Sequence, residues 1–591
     1  MGEGPGYECS GNKLRNIFPS LFTEYSLISM TNYEIADHFS LLSKLMDIHG
    51  ENSFKSKSYS NAAFNIEKLP KEIREMDDAE LFSVRGIGEN TGQKIKELVT
   101  TGKLSQLEKL LATTPEGILE MLQIKGLGPK KIAVIWKEMS IETLGELEYA
   151  CNENRLAAVK GFGAKTQENV LQSIRYYQQN QGFHLWAEVE AVANAIMPQL
   201  QKAYPNNLFS LTGGIRRQLE TVEWIDIISD LDKEKVKAQF ETIADTAIEE
   251  EPNERLIVKM PNQPTLKFHL TDTTHYYTNL FTSTGSEEFM SAFFDKYQLP
   301  EAAKSEEEIF STNGLQYIPA AMRETADILQ KAADNSLNEI IKAEDIKGII
   351  HSHSTWSDGL NTLEQMAKAA IDKGFEYLVI SDHSQVAFYA NGLSAERVAA
   401  QHQEIDTLND KLKPFKIFKS IEADILGDGN LDYNSRVLET FDLVIASVHS
   451  NLKMSLDKAM DRVLTAVSNP YTTILGHPTG RLLLSRAGYP LDHKKVIDAC
   501  AENNVVIEIN AHPRRLDIDW RWIEYAMERG VLLSIDPDAH SVNGFNDVYY
   551  GAMIAQKGGL TAKNNLSSFT LAEFENFLEK YKEKKRSKVF A

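Results

Sequence analysis

Apolar and polar positions change rhythm three times along this chain. The first 29 residues are unpatterned. NYEIADHFSLLSKLMDIHG then opens a run with apolar residues at helical spacing, and helix, short turn, helix repeats to about residue 180. Between about 185 and 335, helices alternate with strand candidates such as LFSLTGG, WIDIIS and RLIVKM. The last third predicts seven short strands: KGIIH, YLVIS, KIFKSI, LVIAS, TTILG, VVIEI and VLLSI. Helical or loop segments separate them, which predicts a parallel α/β barrel-like domain. The whole chain therefore reads as a multidomain α/β protein.

Three segments of the helical part share one local pattern: LFSVRGIGENTGQKI (81–95), MLQIKGLGPKKIAVI (121–135) and LAAVKGFGAKTQENV (156–170). Each carries a glycine pair before a helix, namely Gly86 with Gly88, Gly126 with Gly128, and Gly161 with Gly163. The first glycine can take the positive φ of a tight turn. The amides that follow, with the helix N-terminus, can then face a phosphate. The pattern resembles the helix-hairpin-helix motif, which grips the DNA backbone without reading sequence. These six glycines are accordingly expected to bind DNA.

Around the first hairpin, NYEIADHFSLLSKLMDIHGENSFKSKSYSNAAFNI resembles the N-terminal 8-kDa domain of DNA polymerase family X. In some members a lysine there forms a Schiff base with an abasic-site sugar. The matching position is Lys94, and a neighbouring lysine of that motif is replaced by Asn90. A nucleophilic lysine needs a lowered pKa, and nothing in the sequence supplies one. A helix-surface or phosphate-contacting Lys94 is the plainer expectation.

Residues 211–230, LTGGIRRQLETVEWIDIISD, resemble the family X palm signature. The resemblance implies that Gly213, Gly214, Arg216 and Arg217 hold an incoming triphosphate and that Asp226 holds Mg²⁺. However, Trp224 stands at the first aspartate position, and Lys267 or Phe268 stands where a third aspartate is expected. Two-metal nucleotidyl transfer needs anionic oxygen ligands. Indole and ammonium groups cannot replace them, and Glu220 and Glu223 are out of alignment. Polymerase activity is thus expected to be lost on a retained fold. FTSTGSEEF (281–289) resembles the family's YFTGS segment.

Metal-capable residues follow strand after strand in the last third. His351 and His353 are two apart at a strand end, so they point the same way. Asp358 follows in a Ser-Asp-Gly turn, Asp382 and His383 follow YLVIS, and Glu422 follows KIFKSI. His449, His477, the pair Glu508 and Asn510, and the pair Asp538 and His540 mark the next four strand ends. In barrel folds these ends converge on one mouth. Histidine and carboxylate without cysteine suit catalytic Zn²⁺ or Mn²⁺.

Segment 347–541 resembles the PHP (polymerase and histidinol phosphatase) domain, whose fold is a seven-stranded β/α barrel. The resemblance implies up to three metals. His351, His353, Glu422 and Asp538 would hold one. Glu422, His449 and His477 would hold a second, and Asp358, His383 and His540 a third. Arg515, in NAHPRRLD, matches a position near the substrate phosphate, so His351, His353, Glu422, Asp538 and Arg515 form the expected catalytic set. Asp382, Glu508 and Asn510 are expected to orient ligand histidines from behind. Bound metals lower the pKa of water and neutralise phosphate oxygens.

The order of these parts resembles the bacterial PolX family, family X polymerases with a C-terminal PHP domain. The implied divisions are an extension (1–29), an 8-kDa-like helix-hairpin-helix domain (30–115) and a fingers-like helix-hairpin-helix region (116–182). A degenerate palm (183–262), a thumb (263–335), a linker (336–346), the PHP domain (347–580) and a basic tail (581–591) follow. The implied function is base-excision DNA repair by a metal-dependent 3′-5′ exonuclease or 3′-end-processing phosphoesterase, with abasic-site cleavage as a related activity. Its DNA would be gapped, nicked or 3′-recessed. The alternatives are gap-filling synthesis through Asp226, a non-catalytic DNA-binding scaffold, and a phosphatase of small phosphomonoesters.

Composition alters this picture little. The 591 residues are 42% hydrophobic and 25% charged, as in ordinary globular proteins. With 63 basic and 84 acidic residues the net charge is −21, which favours local phosphate contacts over broad electrostatic DNA binding. No apolar run reaches about 18 residues, so no membrane partner is expected. Cys9, Cys151 and Cys500 are far apart, and no secretory signal is visible. That argues against a disulfide framework and a cysteine zinc site, and points to the cytoplasm; the family resemblance implies association with nucleoid DNA. Lys582, Lys584, Lys585, Arg586 and Lys588 form a short basic run, read as a solvated helix end or a nucleic-acid contact.

Overall fold

The computed structural model describes residues 30–589 except positions 70, 85, 242, 244, 261 and 262, with side chains described up to residue 583. The extension 1–29, Cys9, and the side chains of Lys584, Lys585, Arg586 and Lys588 lie outside the described residues. Lys582 pairs with Asp442 at 2.8 Å. By compactness the chain divides after Phe183 into a helical unit and a larger α/β unit.

The helical unit opens with Asn32–His49, started by a Thr31–Glu34 capping box and ended by Gly50 at φ 74°. Ile35, Phe39, Leu42 and Met46 recur on one face, giving the helix its buried side. They join one continuous core that runs from Met30 to Ile174. Residues 30–115 and 116–182, divided in the sequence reading, therefore share a single core.

Gly86, Gly126 and Gly161 adopt φ of 86°, 93° and 96°. Gly88 and Gly128 N-cap the helices Glu89–Thr101 and Pro129–Lys137 without any side-chain cap. The third hairpin departs from this pattern. Phe162 occupies the N-cap of Gly163–Gln179, and Gly163 itself has φ 62°.

The α/β unit begins with β1 (His184–Leu185), β2 (Phe209–Leu211), β3 (Thr221–Val222), β4 (Trp224–Ser229), β5 (Ala247–Glu251), β6 (Arg255–Lys259) and β7 (Thr265–Leu270). β1 pairs with β3, and the other five form one sheet in the order β2-β4-β7-β6-β5. β7 lies parallel to β4 and antiparallel to β6. The palm sheet therefore runs beyond the boundary placed at 262, because its middle strand comes from residues 265–270. Phe281, Phe289, Phe293 and Phe310 build the core of the following helices.

The barrel comprises β8 (Gly348–Ile349), β9 (Tyr377–Ile380), β10 (Lys416–Lys419), β11 (Glu422–Asp424), β12 (Ile445–Ser447), β13 (Ile474–Leu475), β14 (Val506–Asn510) and β15 (Leu533–Asp536). All pair in parallel, as β8-β9-β10 and β11-β12-β13-β14-β15. The seven expected runs yield eight strands because KIFKSI breaks after Lys419, before Glu422 resumes pairing. Parallel bridges His383↔Glu422 and Ser352↔Ala539 join the two sheets into a closed ring. The C-terminal helix seals one end, with Phe574 stacked on Tyr377 at 4.5 Å. Ligand-type residues gather at the other end. Among the described residues no helix is long and apolar enough to cross a membrane.

Candidate metal centre

Parallel strands put successive carboxyl ends side by side, so residues far apart in sequence meet at the mouth. Glu422 is central. Its Oε1 lies 3.0 Å from Nε2 of both His449 and His477, and 3.4 Å from His351 Nε2. Its Oε2 lies 3.0 Å from His383 Nδ1. His353 Nε2 is 3.1 Å from Asp538 Oδ1, and Asp358 is 3.5 Å from His540 Nε2. All nine expected ligand residues thus converge.

Three groupings have ligand atoms close enough together for one ion each: His351, His353 and Asp538; His383, Glu422 and His449; and His353, Asp358, His383 and His540. They differ from the partition expected from the sequence. His353 and His383 are each shared between two groupings, and His477 reaches the cluster through Glu422.

Two further observations fit metal ions here. Within the cluster, Nε2 of His351, Nδ1 of His383 and Oε2 of Glu422 are buried without a hydrogen bond of good geometry. Such orphaned groups are costly unless something compensates them. In addition, His351, His477 and Asp538 have φ of 60°, 23° and 51°. Bulky residues avoid this region, and each instance costs about 1–3 kcal/mol.

Burial alone would raise Glu422, yet the charges of His449, His351 and His383 hold it well below the usual carboxylate range. Burial, then the neighbouring His540 and His383, push His353 down to about 3. His540 rises to about 9 against burial, through its hydrogen bond to Asp358 and the charge of Asp538.

The surrounding residues hold these groups in place. Glu508 Oε1 meets His351 Nδ1 at 2.5 Å, and its other oxygen accepts the His477 amide. Asn510 donates to Asp538 Oδ2 at 3.2 Å. Asp382 departs from expectation. Its carboxylate accepts from Ser354, Ser357 and Gln401, so it shapes the loop carrying Asp358 rather than orienting a histidine. Arg515 Nε lies 3.6 Å from Asp538 Oδ2.

The sequence reading missed Asp424, 3.3 Å from His449 Nδ1, and the fully buried Asp536, hydrogen-bonded to Ser534 at 2.5 Å. Asp424 stands two residues from Glu422 on the same strand, a spacing that would have flagged it; Asp536 ends its strand before the turn that carries Asp538, so no strand spacing marks it.

The palm is different. Trp224 and Asp226 alternate with buried Ile225 and Ile227, so they share a face. Lys267 is the cross-strand partner of Asp226, while Phe268 is buried. The aspartate-equivalent position is therefore Lys267, whose ammonium lies 5.0 Å from the Trp224 ring. His269 occupies Asp226 at 2.8 Å. Gly213 lies so close that a Cβ there would sit 2.5 Å from Asp226 Oδ2. A Cβ on Gly214 would sit 3.0 Å from Leu219. Arg216 pairs with Glu306 at 2.5 Å and Arg217 with Glu324 at 2.8 Å. Lys94, on Glu89–Thr101, is half-buried.

Comparison with known proteins agrees with this layout. Residues 30–104 match the helix-hairpin-helix domain family, 118–175 the SAM-like helix-hairpin-helix tandem, and 350–512 the PHP domain, a metal-dependent family. A protein of Acetivibrio thermocellus named "Probable phosphatase" is 26% identical over 250 residues, 40% of this chain and 97% of that one. A "Probable phosphatase" of Thermoanaerobacter sp. is 27% identical over 205 residues, 32% of this chain and 77% of that one. The "DNA polymerase/3'-5' exonuclease PolX" of Bacillus subtilis is 35% identical over 557 residues, 90% of this chain and 97% of that protein. With helix-hairpin-helix elements before a PHP barrel and a likeness spanning nearly the whole length of both chains, this protein belongs to the PolX family.

Proposed function

We propose that this protein removes nucleotides from DNA 3′ ends by phosphodiester hydrolysis at the barrel mouth, and that its palm holds DNA without polymerising. The convergence of nine ligand-type residues, several with orphaned buried atoms, carries this reading. Bound divalent ions, Mn²⁺ or Zn²⁺, would supply Lewis acidity and an acidified water. His351, His353, Asp358, His383, Glu422, His449, His477, Asp538 and His540 would hold them. Glu508 fixes the imidazole of His351, and Asn510 fixes Asp538. Arg515 carries its positive charge at the rim, suited to a phosphate oxygen.

The opposite palm chemistry supports the same division of labour. Asp226 is held by a histidine, and a lysine stands in register beside it, where carboxylates would be needed. Arg216 and Arg217 are already committed to internal carboxylates. The glycine hairpins would hold DNA backbone through Gly86, Gly88, Gly126, Gly128, Gly161 and Gly163, with Lys94 beside the first. Gapped, nicked or 3′-recessed duplex is the substrate class, and abasic-site cleavage belongs to the same chemistry. The segments at 183–270 and 347–580 are proposed as the DNA-positioning and hydrolytic parts.

Purified protein with Mn²⁺ should shorten a 3′-recessed oligonucleotide, and the double variant His351→Ala, His353→Ala should not. Failure to shorten it with any divalent metal overturns the proposal. One-nucleotide gap filling that Asp226→Ala abolishes would instead establish synthesis.

A further inference from the structure

The turn that follows His383 carries two exposed aromatic rings. Phe388 is 88% exposed and Tyr389 72%, both on Phe388–Ala390. Leaving such a ring in water forgoes the gain of burying it. Exposed rings are unremarkable on a mobile surface, but this turn is fixed from several sides. Val386 N donates to Asp432 Oδ2 at 3.2 Å, and Gln385 donates to the Asp432 carbonyl at 2.5 Å. Asn391, at φ 54°, donates from its side chain to the Trp356 carbonyl at 3.2 Å. Arg397 donates to the Asn391 carbonyl at 2.6 Å. Leu393 N returns to the His383 carbonyl at 2.9 Å. A Cβ on Gly392 would lie 1.9 Å from the Ser384 carbonyl oxygen, so the chain is closely packed there.

The turn is thus built onto the loops that carry His383 and Asp358, and it stands at the mouth. The Tyr389 ring lies edge-on to His383, 6.1 Å between centroids. The outermost ligand side chains are His540, 41% exposed, and Asp358, 26% exposed, whereas His351 and His353 are fully buried.

We propose that Phe388 and Tyr389 form a stacking platform for the unpaired bases at the 3′ end of a DNA strand. This rests on the DNA 3′-end reading above. To bring its phosphate down to the buried ligands, a terminal nucleotide has to leave its stack. Extrusion of a nucleotide costs stacking energy. Stacking on an aromatic side chain returns much of it and accepts any base, because every base has a π-face. Two rings on a fixed turn, one of them edge-on to a ligand histidine, offer that compensation without ordering the backbone that carries them. Their lack of charge suits bases rather than phosphates.

The test mixes full-length protein and Mn²⁺ with an oligonucleotide carrying 2-aminopurine at its 3′ terminus, in a stopped-flow instrument. Wild-type protein should quench the fluorophore before product forms. Phe388→Ala with Tyr389→Ala should lose that quench and raise KM for the DNA at least tenfold with kcat within about threefold. Phe388→Trp with Tyr389→Phe should restore both, which a merely structural role would not do. A 5′-terminal fluorophore should report no quench from this turn. Equal quenching by wild type and the double-alanine variant overturns the proposal. So does a double-alanine variant that shifts sedimentation from dimer to monomer, since the rings would then cover a second copy. If wild type quenches but never cuts, the hydrolytic reading fails while the platform stands. If it cuts with no quench that depends on these rings, the platform fails alone.

Discussion

His351 Nδ1 lies 2.5 Å from Glu508 Oε1, with both side chains fully buried. This contact leaves Nε2 of His351 directed at Glu422 and Asp538, at 3.4 and 3.5 Å. The carboxylate thus fixes which ring nitrogen is offered to the centre. Glu508→Gln keeps the shape and removes the charge. We expect metal affinity, measured by chelator competition, to fall about 10–100-fold with the fold intact. Unchanged affinity would reduce Glu508 to its second contact, the His477 amide.

Metal loading itself can be read without activity. Nε2 of His351, Nδ1 of His383 and Oε2 of Glu422 are buried, lie within the cluster and have no hydrogen-bond partner, so bound cations would compensate them. Binding a ligand to the folded state alone stabilises it by about 2.7 kcal/mol at a hundredfold excess over Kd. Mn²⁺ or Zn²⁺ should therefore raise the melting temperature of the wild type, and chelation should reverse it. His351→Ala with His353→Ala should abolish most of the rise. A rise of equal size in that variant would show that the stabilising ions bind elsewhere.

Glu306, Arg216 and Arg323 form a triad in the α/β unit, with buried Glu306 shared by buried Arg323 and partly exposed Arg216. Burial alone would raise Glu306, but the Arg216 hydrogen bond and the Arg323 charge hold it below its ordinary value. A depressed carboxylate contributes stability that is present above its unfolded pKa and is lost as pH falls through the folded one. Glu306→Gln leaves two guanidinium groups uncompensated and should cost about 3–5 kcal/mol at pH 7. The variant should also show a flatter loss of stability below pH 4.5 in denaturant titrations. An unchanged acid slope would remove Glu306 from the account.

How much of this was legible from sequence depends on the range of the interaction. His351 and His353 could be read from their place just beyond a strand end, although the strand stops at Ile349 and His351 has φ 60°, so their convergence comes from the turn and not from strand alternation. The barrel could be read from its short apolar runs, apart from the break at Ser420 and Ile421, which no periodicity marks. Sharing of His353 between two ligand groupings was not legible, because it depends on where β15 returns to β8. The full extent of the palm sheet was not legible for a related reason. β7 enters the middle of a sheet whose other strands precede it in the chain, and strand order is a long-range fact. Register also settled Lys267 over Phe268, since only one can face Asp226.

The palm reading can be inverted experimentally. Trp224 and Asp226 share a face of β4, and Lys267 sits in register with Asp226 on β7. Trp224→Asp with Lys267→Asp would therefore place three carboxylates together. We expect this double variant to bind Mg²⁺ or Mn²⁺ at the palm, seen as extra heat in calorimetry when the barrel site is disabled by His351→Ala. Hard cations take such oxygen ligands readily. Wild type, with an ammonium at that position, should show no such heat. A palm-specific signal in wild type, lost in Asp226→Ala, would restore the polymerase reading.

Gly126 and Gly128 separate two roles that one glycine hairpin combines. A Cβ on either would meet nothing within 4 Å, so neither glycine is required by packing. Gly126 has φ 93°, where an L-residue is strained by about 1–2 kcal/mol, whereas Gly128 has φ −82°, which any residue accepts. Gly126→Ala should lower stability and DNA affinity together. Gly128→Ala should leave stability within about 0.5 kcal/mol, as surface substitutions usually do. If the amides at the start of Pro129–Lys137 hold a phosphate, however, the added methyl stands in its path. DNA affinity should then fall about tenfold, or 1.4 kcal/mol. Fluorescence anisotropy on a gapped duplex, alongside thermal melts, checks both. Loss of affinity that always tracks loss of stability would assign the hairpin glycines to the turn alone. A Gly128→Ala protein that melts like wild type yet binds weakly would assign this hairpin to the DNA backbone.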